Sequence, residues 1–122
     1  MNIKLDKADI LFSQWIRLRD LMCVRCYSPV KLNSKGLPIS HQASHFYGRG
    51  RENTRFEPDN VDTLDMGCHR IWGSDDRETY RIFKLKQLGQ KRFDSLMVQA
   101  NTYKKKDRKL EVIKWQEQLN NL

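Results

Sequence analysis

A chain of 122 residues is long enough for one compact domain and too short for two ordinary ones. With 39% hydrophobic and 31% charged residues its core is limited, and a metal staple would help it fold. The formal net charge of +8 points to a polyanionic partner, most simply nucleic acid, and no segment approaches the roughly 18 apolar residues of a membrane span. The first residues lack the apolar run of a secretory signal, and three cysteines are an odd number for a disulfide framework. The chain therefore reads as intracellular, in the cytoplasm.

Asp6 is placed to cap a first helix over 7–20, where Ile10, Leu11, Trp15 and Leu18 recur at helical spacing. The stretch CVRCYSPVKLNSKGLPIS that follows is rich in turn formers and reads as a knuckle, a short hairpin and a loop. HQASHFYGR is strand-like, GRGRENTRFEPDN is a loop, and VDTLDM is a short strand or an extended lead into a helix. From Cys68 onward the pattern is helical. Ser74 is expected to cap a helix with Asp75 and Asp76 in its first turn, Tyr80, Phe83 and Leu88 on its apolar face and Gly89 at its end. Phe93, Leu96, Met97 and Ala100 predict a further helix. Asp107 predicts the start of a last one, striped by Val112, Trp115, Leu119 and Leu122.

Cys23 and Cys26 form one Cys-x-x-Cys knuckle, and a structural zinc site needs a second pair. The stretch with matching spacing is Asp65-Met-Gly-Cys68, in which aspartate occupies the first position. Carboxylate oxygen binds zinc, so Cys23, Cys26, Asp65 and Cys68 are a chemically allowed set. His41 or His69 as fourth ligand, a redox knuckle, and buried cysteines without metal are the alternatives.

Between the two knuckles stand His45 on the strand and Asn60 after a Pro-Asp turn, with His69 directly after Cys68. This His…Asn…His order inside a cysteine frame resembles the HNH nucleases. ASHFYGRGRENTRFEPDN followed by CHR is similar to the phage NinG/Rap group of recombination nucleases, over about residues 23–72. The resemblance implies an α+β fold: a small ββα-metal (HNH, His-Me finger) centre with a zinc knuckle, flanked by N- and C-terminal helices. The whole chain, 1–122, would be a single domain, with a first helix in 1–22, the core in 23–73 and a basic helical tail in 74–122.

The same resemblance implies a metal-dependent endonuclease acting on DNA, branched recombination intermediates such as Holliday junctions included. His45 would be the general base, Asn60 would brace the loop that orients it, and His69 would hold Mg²⁺ or Mn²⁺ beside the structural zinc. The chain departs from the family at two ligand positions, occupied here by Ser44 and Gly73. Arg49, Arg51 and Arg55 in the loop, with Arg77, Arg81 and Lys84 in the tail, are the expected phosphate contacts, and Lys104, Lys105 and Lys106 belong to a second basic cluster. Trp72, Tyr80 and Phe83 are expected in the core rather than stacked on bases. A homodimer would suit a junction-cutting enzyme. Two other readings are a non-catalytic zinc-stapled DNA-binding module, favoured by Ser44 and Gly73, and an HNH enzyme nicking ordinary duplex in phage packaging.

Overall fold

The first helix begins where its cap is written. In the computed structural model, which describes residues 4–122, α1 (Lys7–Asp20) opens on a reciprocal box: Asp6 accepts from the Asp9 amide and Asp9 accepts from the Asp6 amide. After α1 come two isolated antiparallel bridges, Met22 with Pro29 and Leu32 with Pro38, which form the expected knuckle and hairpin. The architecture of the described residues is α+β: one two-stranded sheet and five α-helices.

The sheet pairs β1 (Gln42–His45) with β2 (Val61–Leu64) antiparallel, placing Ser44 opposite Asp62 and His45 opposite Val61. Strand alternation divides the molecule into two cores. Ala43 and Val61 pack with Ala8, Leu11, Phe12 and Ile16 of α1 and with Trp115 of α5 (Arg108–Asn120). On the other side Leu64 and Phe46 join Cys23, Cys68, Trp72 and Tyr80. Trp72 stacks on Tyr80 at 4.9 Å between ring centroids, so these aromatics are core, as expected.

Strand β2 leads through Asp65, whose side chain caps α2 (Met66–Arg70), into a wide turn over Ile71–Asp75 and then α3 (Arg77–Leu88). Here the expected cap is corrected. Asp76 caps α3, accepting from the Thr79 amide and hydroxyl, while the Ser74 hydroxyl donates back to the Arg70 carbonyl. The wide turn carries the chain beyond Ser74 while burying Trp72, so α3 starts two residues later than a Ser74 cap requires. Gly89, at φ +81°, ends α3 and leads into α4 (Gln90–Ala100), and Asp107 caps α5. Leu122 lies past the end of α5, exposed.

Two of the cations expected to meet phosphate are instead structural. Lys84 is fully buried, 3.1 Å from Asp62, which also accepts from Tyr80 and Gln87. Arg55 is buried against Asp9, its Nε donating to Oδ1 over 2.8 Å. Removing one partner of such a pair strands a charge away from water. Asp62→Ala is expected to cost about 3–5 kcal/mol in denaturant unfolding, and adding Lys84→Met should restore much of it. Equal stability of the single and double variants would contradict this account.

Candidate metal centre and histidine cleft

The first site is a cysteine cluster. Cys23 and Cys26 come from the knuckle, whose turn closes with Tyr27 in the left-handed region at φ +66° and the Tyr27 amide donating to the Cys23 carbonyl. Asp65 and Cys68 come from the cap and body of α2. One ligand atom from each of the four residues lies within 4.8 Å of the others, a spread that suits tetrahedral ligands. Three sulfurs and a carboxylate are a donor set for zinc.

Asp65 has two tasks. Its Oδ1 accepts from the Cys68 amide at 2.8 Å, and its Oδ2 accepts from Cys26 Sγ at 2.8 Å and Ser28 Oγ at 3.0 Å. The Cys26 thiol, together with these other donors, holds its carboxyl well below the usual range. Burial pushes the Cys68 thiol up to about 12, although Arg25 at 3.3 Å from Sγ favours the thiolate. A metal at this site would therefore release protons on binding.

His41 is not in the cluster. Its Nε2 faces the Ser28 carbonyl at 3.0 Å and hydroxyl at 3.1 Å, and its Nδ1 faces Ser40 Oγ at 2.9 Å. It therefore supports Ser28, which in turn donates to Asp65. His69, the other alternative ligand, is also outside the cluster.

The second site is an open cleft of about 560 Å³ between the end of β1, α2 and the start of α3. His45 and His69 both line it, with Ser44, Met66, Arg70, Gly73 and Arg77 among their neighbours. The His45 ring is fixed from behind: Nε2 lies 2.9 Å from the Arg55 carbonyl. A carbonyl only accepts, so Nε2 carries the proton and Nδ1 keeps its lone pair. That Nδ1 is buried and without a hydrogen-bond partner, as are Nδ1 of His69 and Nε of Arg49. Burial, reinforced by the charge of Arg49, pulls His45 down to about 4 and also lowers His69. Both shifts favour the neutral imidazole, the form that accepts a proton or a metal ion.

Asn60 is the brace between strand and loop. Its Oδ1 accepts from the Tyr47 amide at 2.8 Å, and its Nδ2 donates to the carbonyls of Tyr47 and Thr54 at 2.9 and 3.0 Å. Thr54 precedes Arg55, so these bonds fix the stretch whose next carbonyl orients His45. The Asn60 side chain makes no hydrogen bond to His45.

Of the expected cations, Arg77 lines the cleft, and the charge of Arg49 lowers both histidine pKa values. Arg77 is preset: its guanidinium sits 4.9 Å from the Phe46 ring centroid and donates to the Phe46 carbonyl at 2.6 Å. Arg51 bonds Asn101 and Arg81 pairs with Glu78, both at 2.7 Å and both exposed. Arg70 and Met66, four residues apart on α2, line the cleft and were not expected from motif matching. The helical register of His69 places Arg70 beside it.

The depressed His45 pKa has a measurable consequence. Between pH 6.5 and about 4 the unfolded chain binds a proton at His45 that the folded chain refuses, so stability falls as pH falls through that window. The maximum effect is about 3 kcal/mol. Thermal melts of wild type and His45→Gln from pH 7.5 to 4 should diverge in this sense. Parallel curves would contradict it.

Comparison with known proteins returns no relative: no family model, no curated protein and no solved structure matches the chain. Among the described residues no helix is long and apolar enough to cross a membrane.

Proposed function

We propose that the chain is a metal-dependent DNA endonuclease of the HNH type, with β1, β2 and α2 as its ββα-metal centre and a zinc ion in the Cys23, Cys26, Asp65, Cys68 cluster. The observation that carries the reading is the pair of neutral imidazoles, His45 and His69, each with an unpartnered Nδ1, lining one cleft rimmed by arginine. A phosphodiester in that cleft meets a base on one side and cationic donors around it. His45 Nδ1 takes the proton of a water as its oxygen attacks phosphorus, and the Arg55 carbonyl holds the ring to that task. One P–O ester bond breaks, and solvent water protonates the departing oxygen. Arg77 and Arg70 hold the flanking phosphates.

A divalent ion carried by His69 would neutralise the phosphoryl charge that grows in the transition state. Imidazole nitrogen, with no carboxylate on the cleft wall, suits Mn²⁺ better than Mg²⁺. The substrate class that the NinG/Rap resemblance suggests is branched recombination DNA, Holliday junctions included. The second reading is a zinc-stapled DNA-binding module. It is favoured by Ser44 and Gly73 on the cleft wall where a nuclease of this type would carry further ligands.

The test is incubation of zinc-loaded protein with end-labelled four-way junction and plain duplex, with Mg²⁺, with Mn²⁺ or with no added divalent ion. Metal-dependent cutting that prefers the junction supports the full proposal, and equal cutting of duplex supports a general nicking enzyme. Tight binding with no cutting in any metal supports the module and overturns the nuclease reading.

A further inference from the structure

The nucleophile decides how much a phosphodiester cleft has to supply. Cutting DNA requires a water to be recruited and activated, the step a divalent ion serves. In RNA the ribose already holds its 2′-hydroxyl beside the phosphorus, so attack is intramolecular and gains from proximity. What remains to be supplied is a base for the hydroxyl proton and positive charge around the phosphoryl oxygens.

The cleft between the end of β1, α2 and the start of α3 matches that shorter demand. Its lining combines His45 and His69 with two arginines, Arg70 and Arg77, and no carboxylate. A further guanidinium belongs to Arg49, whose Nε is buried without a partner and whose charge reaches both histidine rings. Arg77 is held in advance, donating to the Phe46 carbonyl at 2.6 Å with its guanidinium 4.9 Å from the Phe46 ring centroid. Such a set binds an anion and removes a proton.

We propose that this cleft also cleaves single-stranded RNA by transphosphorylation, with no divalent ion in the cleft. His45 Nδ1 takes the 2′-hydroxyl proton, its lone pair left open because Nε2 donates to the Arg55 carbonyl. The 2′-oxygen bonds to phosphorus, the P–O5′ bond breaks, and water at the open mouth of the cleft protonates the departing O5′. One fragment ends in a 2′,3′-cyclic phosphate and the other begins with a 5′-hydroxyl. The proton on His45 then passes to solvent, and nothing is oxidised or reduced. Arg77 and Arg70 donate to the nonbridging oxygens as negative charge builds on them. Attack has to be in line with O5′, a geometry that an A-form duplex prevents, so the strand is single. This activity shares its base with the nuclease reading and leaves out that reading's metal step.

The experiment uses the full chain, zinc-loaded and dialysed into metal-free buffer. Its substrates are an end-labelled single-stranded RNA, the same sequence as DNA, and that DNA strand carrying one ribonucleotide. Without added divalent ion the RNA should be cut and the DNA left intact. The chimera should be cut once, on the 3′ side of its ribonucleotide, with a 2′,3′-cyclic phosphate seen by mass spectrometry. It tests the chemistry on the unaltered protein. His45→Ala, purified in the same way, should lower the rate about 10²–10⁴-fold. Arg77→Gln should lower it about 10²–10³-fold. Intact RNA, cutting that begins only on adding Mn²⁺, fragments that begin with a 5′-phosphate, or an unchanged rate in His45→Ala overturns the proposal. Mn²⁺-dependent cutting of DNA with RNA left intact removes this proposal and leaves the nuclease reading standing. Cutting of RNA with DNA intact in every metal does the reverse.

Discussion

His45→Ala is expected to lower Mn²⁺-dependent DNA cleavage by about 10²–10⁴-fold, the range spanned by a positioned general base. The ring is the cleft-lining group whose free lone pair is set by a hydrogen bond from behind, Nε2 to the Arg55 carbonyl, and whose neutrality is secured by burial and by Arg49. Alanine leaves that carbonyl without its partner, a cost on the order of 1–3 kcal/mol, and opens space beside Phe12. The two core clusters and the cysteine frame do not depend on the ring, so circular dichroism and DNA affinity should survive. Because the cleft is open, added imidazole should restore part of the rate. Wild-type rates in His45→Ala, with folding intact, would remove His45 from the chemistry. His69→Ala should also abolish cutting, but through metal affinity, so raising Mn²⁺ should recover some rate there and none in His45→Ala.

The second large effect is loss of the cysteine-bound metal. The purified chain is expected to hold about one equivalent of zinc, to lose it in Cys68→Ser, and to melt at least about 10 °C lower after chelation. The cluster brings the knuckle at residues 23–26 to the start of α2, and Asp65, already the helix cap, would serve also as ligand. Without the ion, Cys68 is a buried protonated thiol and Asp65 must cap α2 with only hydrogen bonds in support. Since His69 follows Cys68 directly, chelation should impair cleavage along with stability. A metal-free chain with an unchanged melting temperature would show that the four residues are merely packed together.

Much of this organisation is written locally. Asp6, Gly89 and Asp107 mark helix boundaries because caps and left-handed stops are one-residue signals. The spacing of Cys23, Cys26, Asp65 and Cys68 carries the cluster, and the His45–Asn60–His69 order carries the two cleft histidines and the buried brace behind them. The failures are non-local. Arg55 and Lys84 look like free cations because their partners, Asp9 and Asp62, lie 46 and 22 positions away. For Lys84 a signal was present: it stands midway between Tyr80 and Leu88, on the stripe α3 buries, so its charge demanded an internal partner. The wide turn at Ile71–Asp75 has no such signature, and it is what moved the α3 cap from Ser74 to Asp76. Arg70 and Met66 reach the cleft as neighbours of His69 on α2, a signal that was in the helical register but not in the His–Asn–His order.

The claim on which the rest depends is that two imidazoles address one ion. The chain has only three histidines, so their ring protons can be followed individually by NMR, with His41, held against Ser28 and Ser40, as an internal reference. On adding trace Mn²⁺ to zinc-loaded protein with a short duplex, the His45 and His69 resonances should broaden together and ahead of His41. Broadening of neither, or of one without the other, would contradict a shared ion and with it the nuclease mechanism.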